Sequence, residues 1–256
     1  MLASALHPFD PAFARAFVTA LDPAAPATLP GLDPAWSDDI VRAARIAVAR
    51  LSAGDDRGGY DLTATWARAL AALHPVFMHD SLTLTTWEAR VERGAAMLLR
   101  PPSRLFIEAG FDPVAGRRLP IRLDATGPSM GGAWVPPHLV PNLADLLDSR
   151  FERIAQRLAE SSIEPLGVIA MSRAAIDYAL QHGLGLYESE GVVIADEPTT
   201  LPPGGAIRIY DRKRVDPALK ARVAVATTPA KRPGLLDRLT RRTSPDAPSP
   251  NGKHDG

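Results

Sequence analysis

Cysteine is absent from the 256-residue chain. That removes disulfides, thiolate nucleophiles, Cys-ligated zinc and iron–sulfur clusters from the chemistry open to it. Lysine is scarce, with only Lys213, Lys220, Lys231 and Lys253, and the sequence holds two asparagines and two glutamines. Arginine, alanine and proline take their place, a bias that GC-rich coding explains better than heat adaptation, which usually enriches lysine. Aromatic residues make up 6% of the chain, too few to suggest the repeated stacking platforms of a single-strand nucleic-acid binder. The longest apolar stretches, such as Arg42 to Leu51, are interrupted by arginines, well short of the roughly 20 residues of a membrane-spanning helix. No membrane span is expected. The N-terminus, Met1 to Pro8, lacks the basic start and apolar run of a secretory signal, so a cytoplasmic location is the expectation.

What is present is an ordinary amount of core-forming material, 46% hydrophobic residues with 29 basic and 29 acidic side chains. The zero net charge hides an asymmetry. From Leu201 onward twelve Lys or Arg face five Asp, a net of +7, which leaves the first 200 residues at −7. After position 227 the composition turns to Pro, Ser, Arg, Asp and Gly, predicting a single domain over 1–226 and a disordered basic tail over 227–256.

The N-terminal part, to about residue 85, reads as helices. Asp10-Pro11 caps and starts the first, with Phe13, Phe17 and Leu21 at four-residue intervals; after a Pro-rich connector over 22–34, Ser37-Asp38-Asp39 is expected to cap a second. A third is expected from Leu62 to Leu73, closed by Pro75, and a further helical signal runs from Thr86 through Trp87 and Val91. The next segments suggest strands: Ala95 to Arg100, Arg104 to Glu108 and the alternating Leu119 to Leu123, with a glycine-rich loop from Gly127 to Gly132. Pro141 to Glu160 carries the clearest periodicity, Leu143, Leu147, Phe151, Ile154 and Leu158 forming one stripe of a predicted helix. Pro165 to Gly183 reads equally as one helix or as a strand followed by a helix, capped on either reading by Gly183. Strands are expected at Val192 to Ala195 and Ala206 to Tyr210, and a short helix from Asp216-Pro217. The fold class expected is α+β: a helical N-terminal part, then a small mixed or antiparallel sheet packed with helices, and a disordered C-terminal tail.

Several residue sets could carry chemistry. Gly127-Pro128-Ser129-Met130-Gly131 fits G-x-S-x-G, a turn that can present a serine hydroxyl with an oxyanion-stabilising N–H behind it. The base would be His182 and the acid Asp145, Asp148 or, preferred, Asp177. The glycines and prolines after Ser129 conflict with the helix that such an elbow requires. His74 and His79-Asp80 raise a metal or acid–base possibility, but Pro75 separates the histidines and no H-E-x-x-H spacing occurs. Glu88 and Glu92 share a helical face with Arg90 and Arg93 beside them, which predicts a charged surface. His182-Gly183-Leu184-Gly185 is expected to be a helix cap rather than a dinucleotide loop. Neither a cofactor nor a metal is expected. The basic Arg208 to Arg214 segment reads as a solvated loop, and nucleic acid is not the expected partner. In the tail, Leu235, Leu236 and Leu239 with Arg238, Arg241 and Arg242 would form a short amphipathic unit, a candidate contact for an unknown protein partner. The function expected is a non-catalytic binding or adaptor protein, with a serine-dependent hydrolase as the alternative.

Overall fold

The computed structural model describes residues 4–79, 84, 91–120, 130–192 and 205–228. The chain begins with strand β1 (Ser4–Phe9) and helices α1 (Pro11–Ala20), α2 (Pro34–Ser52) and α3 (Arg57–Leu73), followed by strand β2 (Val76–His79). Two short helices follow, α4 (Pro102–Glu108) and α5 (Pro113–Gly116), and then strand β3 (Met130–Val135). Helices α6 (Val140–Ser149), α7 (Phe151–Glu160) and α8 (Pro165–His182) precede strands β4 (Gly185–Glu190) and β5 (Ile207–Ile209) and helix α9 (Pro217–Thr227). The strands form one open mixed sheet in the order β3-β4-β1-β2-β5, antiparallel except for the β2–β5 pair. This is the α+β architecture expected, a mixed sheet packed with helices. No helix among the described residues is long and apolar enough to cross a membrane.

Strands β1 and β4, and most of β2 and β3, are buried on both faces of the sheet, while the edge strand β5 is largely exposed. Because successive side chains of a strand alternate, Ala5, Phe9, Val76, Met78, Trp134 and Tyr187 join a core with α1 to α4. Leu6, Phe77, Val135 and Leu186 join another with α6, α7 and α8. Trp66 of α3 anchors the first core, its ring 5.1–6.2 Å from those of Phe9, Phe13, Phe17, Phe106 and Tyr187. Such two-sided burial suppresses the polar alternation that identifies a strand in sequence. For that reason β1, β2 and β4 escape the sequence reading.

Asp–Pro pairs start several helices for a common reason. The aspartate accepts an orphan N–H of the first turn, while proline, which has none to offer, fixes φ at the first helical position. Asp10 accepts from Ala12 N at 2.7 Å, Asp33 from Ala35 N at 2.9 Å and Asp216 from Ala218 N at 2.9 Å. The second helix therefore starts at Pro34, ahead of the expected Ser37 cap. Ser37 is instead buried, accepting from Leu29 N at 2.7 Å and donating to Ala27 O at 3.1 Å. The third helix likewise starts early, at Arg57 rather than Leu62, and includes Gly58 and Gly59. A Cβ on Gly58 would lie 2.4 Å from the Ala47 carbonyl oxygen, so glycine is what lets α2 and α3 cross closely.

Further corrections concern the middle of the chain. The two strands expected over 95–108 are a 3-10 turn, Arg93–Met97, and the helix α4, which Pro102 starts. A seven-residue helix shows too few turns for its period to be read. Gly131 and Gly132 belong to β3 rather than to a loop; the pairing with β4 is irregular between Gly131 and Trp134, the sort of distortion glycine accommodates in a strand. Pro141 to Glu160 is two helices, α6 and α7, because Arg150 departs from helical geometry with φ −114° and ψ 15°. Hydrogen bonds Arg150 N to Leu146 O and Ile154 N to Arg150 O bridge the break. The stripe Leu143, Leu147, Phe151, Ile154 and Leu158 therefore stays in phase and is wholly buried, as its periodicity predicts. The open choice over Pro165 to Gly183 resolves as one helix, closed by Gly183 at φ 67°. Helix α8 lies against the sheet, α6, α7 and α9, so apolar residues occupy most of its circumference and blur its period.

Trp87, most of the strand expected over 119–123, the Val192 to Ala195 strand beyond Val192, and tail residues 229–256 lie outside the described residues. Among the described residues both cores are built from residues up to Val223, and the tail is poor in large apolar residues, so a chain ending at Thr228 is expected to keep the full-length melting temperature. A fall of more than about 5 °C, roughly 1–2 kcal/mol at this size, would show that the tail stabilises the body.

Candidate functional site

An open cleft of about 830 Å³ lies between α8, β5 and α9. Its floor is apolar because α8 turns Met171 and Ala174 towards it and α9 contributes Leu219. Its rim is charged, with Arg173 and Asp177 on α8, Arg208 on β5 and Arg222 on α9. The arginines are not equivalent. Arg173 pairs with Asp148, Arg222 with Glu152 at 3.2 Å, and Arg214, from the β5–α9 connection, with Asp211 at 3.4 Å. The Arg222 guanidinium also lies 3.8 Å from the centre of the Phe151 ring. Arg208 has no carboxylate within ion-pair distance among the described residues, and sits over the rings of Phe77 and Tyr178 at 5.4 and 5.9 Å. Asp177 has no cation within that distance among them either. Tyr210 at the end of β5 packs its ring where a Cβ on Gly167 would come within 3.1 Å, and its hydroxyl is buried without a hydrogen-bond partner among the described residues. Burial, and next the carboxylate of Glu164, raise its phenol above the ordinary range.

Beside Arg208, the Tyr178 ring separates two histidines. Its hydroxyl is 3.4 Å from His74 Nδ1, and its ring stacks on His182 at 4.2 Å. His74 is held below its ordinary pKa by burial first and by the charge of His182 second, against the opposing influence of Asp10.

A third polar group lies in the sheet itself. His7 Nε2 of β1 and Ser189 Oγ of β4 are hydrogen-bonded at 2.7 Å, and both residues are 0% exposed. His7 Nδ1 and the nearby Tyr187 hydroxyl are buried without hydrogen-bond partners among the described residues. Glu188, on the opposite face, is also buried and accepts from the backbone N–H groups of Leu84 and Ala133. A serine–histidine pair at 2.7 Å resembles a nucleophile and its base, but no substrate can reach two fully enclosed side chains. Its residues are 182 positions apart, so sequence spacing gives no hint of it.

Of the residues expected to carry chemistry, Ser129, Asp80 and the tail residues Leu235, Leu236, Arg238, Leu239, Arg241 and Arg242 lie outside the described residues. Asp177 lines the cleft. His182 lies at the exposed end of the same helix, where its Nδ1 bonds the Tyr178 carbonyl at 2.9 Å; no hydrogen bond joins it to Asp177. Glu92 departs from the surface role expected. It is buried, accepts from Gly94 N at 3.1 Å and lies 3.3 Å from the Arg153 guanidinium, because Val91 and Glu92 tuck under α7. Among the described residues no three His, Asp or Glu side chains converge as a metal site. Comparison with protein-family models, with curated proteins and with solved structures finds no match to this chain.

Proposed function

We propose that this chain is a non-catalytic binding protein whose ligand occupies the cleft between α8, β5 and α9. The observation that carries the reading is the pairing of an apolar floor with two rim charges, Arg208 and Asp177, that have no ion-pair partner among the described residues. A cleft of this volume accommodates a drug-sized ligand, and a few polar groups over apolar walls give orientation without chemistry. Among the described residues the side chains lining it include no serine or histidine hydrogen-bonded as nucleophile and base, which supports binding over turnover.

The test is a thermal-shift screen of the full chain against amino acids, short peptides, nucleotides and organic acids, repeated on Ala174→Trp, which fills the floor. A ligand at a hundred times its Kd should stabilise the chain by about 2.7 kcal/mol, and Ala174→Trp should abolish that shift while melting at a similar temperature. Two results would overturn the reading: a ligand that stabilises both proteins equally, or stoichiometric fluorophosphonate labelling that Ser129→Ala removes.

A further inference from the structure

We infer that the ligand of this cleft is a short extended peptide of mixed charge, held as an added strand on the free edge of β5. The inference rests on the reading of the cleft as a binding site and specifies what that site takes.

The two edges of the sheet differ. On β3, Arg100 forms a two-bond bridge with Trp134, its N–H donating to the Trp134 carbonyl at 2.8 Å and its carbonyl accepting from Trp134 N at 2.9 Å. That edge already has a backbone partner. At the other end β5 pairs, among the described residues, with β2 alone, in parallel, with Val76 N donating to the Ala206 carbonyl at 2.9 Å. In such a ladder alternate residues turn both backbone groups to one side. Ala206 and Arg208 face β2, so the N–H and C=O groups of Ile207 and Ile209 face outward, and no described residue takes them up. An edge of this kind is a template for another strand unless charge, proline or a covering element blocks it.

The side chains match that use. Arg208 projects to the α8 side, over Phe77 and Tyr178, whereas Ile209 projects to the other and is 58% exposed. A strand laid beside β5 would place alternate residues over the apolar floor of the cleft and against Ile209. The same strand would pass Arg208 and Asp177, two charges of opposite sign with no ion-pair partner among the described residues. An acidic residue opposite the first and a basic residue opposite the second would satisfy both, which selects a mixed-charge segment over a uniformly acidic or basic one.

The experiment uses the full chain on an array of synthetic decapeptides with alternating aliphatic residues, in neutral, acidic, basic and mixed-charge series, with affinities measured by fluorescence anisotropy. Mixed-charge peptides should bind best. Methylating alternate backbone nitrogens of the best peptide should cost about tenfold in affinity or more in one parity and little in the other, because only one set of N–H groups faces β5. Ile209→Pro removes an outward N–H that β2 does not use, and should cost a similar factor. Arg208→Gln should weaken peptides through their acidic position, and Asp177→Asn through their basic one. If Ile209→Pro fails to fold, the methylation series decides alone. Binding indifferent to methylation, or an array without hits while a non-peptide ligand still stabilises the protein and is lost in Ala174→Trp, overturns strand addition but leaves the cleft reading intact. Peptide binding that survives Ala174→Trp unchanged overturns both.

Discussion

Phe151→Ala is expected to lower the stability of the protein by about 3–5 kcal/mol, a fall in melting temperature of roughly 6–20 °C for a chain of this size. Phe151 opens α7 at 0% exposure, in the core it shares with Leu147, Ile154, Leu158 and the inner face of α8. Removing its ring leaves a cavity that rigid neighbours on helices and sheet cannot fill. It also strips the Arg222 guanidinium of the ring it covers at 3.8 Å, a contact worth about 0.5–2 kcal/mol. Arg222→Ala should therefore cost measurably less than Phe151→Ala, since it loses that contact and an exposed ion pair while the core stays filled. Thermal melts of the two variants check the order. An unchanged curve for Phe151→Ala would show that the α6–α7 stripe does not anchor the helical layer.

Acid is expected to destabilise the fold well before the ordinary carboxylates titrate. Burial pushes the His7 imidazole from its ordinary 6.5 down to about 3, because the sheet offers the charged ring no water and no carboxylate. The unfolded chain takes a proton on this residue near pH 6.5, and the folded chain refuses it until about pH 3. Between those values the unfolded state binds more protons, so stability falls as pH falls, by about 1.4 kcal/mol per unit and roughly 4–5 kcal/mol in all. The half-buried His74, also held below its ordinary value, acts with the same sign. Glu190 acts with the opposite sign, since burial raises its carboxyl and the fold takes up that proton first. Urea melts from pH 8 to pH 4 should show a plateau above pH 7.5 and a decline below 6.5. In His7→Gln, which cannot titrate, the slope between pH 6.5 and 5 should flatten. A slope equal in both proteins would mean that His7 is protonated inside the fold.

Where the sequence was legible, one local rule sufficed. The Asp–Pro starts of α1 and α9, the Gly183 cap of α8 and the stripe from Leu143 to Leu158 each depend on residues within a few turns of one another. Strand β5 lies within the expected Ala206 to Tyr210, whereas β1, β2 and β4 were illegible because the information needed was elsewhere in the chain. β1 carries His7, and β4 carries Glu188 and Ser189, polar residues that argue for exposure until partners are known. Those partners lie up to 182 positions away, or are backbone groups of Leu84 and Ala133. The cleft was harder still. Asp177 entered the sequence reading as the acid of a triad and Arg208 as part of a solvated basic loop, and nothing in their spacing placed them on one rim.

The sequence by itself determined the exclusions and part of the helical layer: no cysteine chemistry, no apolar run long enough for a membrane helix, the starts of α1 and α9, the ends of α3 and α8, and the buried face of α6 and α7. These follow from composition and from contacts within one turn, which residue order specifies directly. The tertiary structure alone decided the order of the strands, the enclosure of His7 with Ser189, and the open edge of β5 above the cleft. Each is a long-range juxtaposition, set by how two helical layers enclose one sheet, and linear spacing carries no record of which groups that packing seals and which it leaves unpaired.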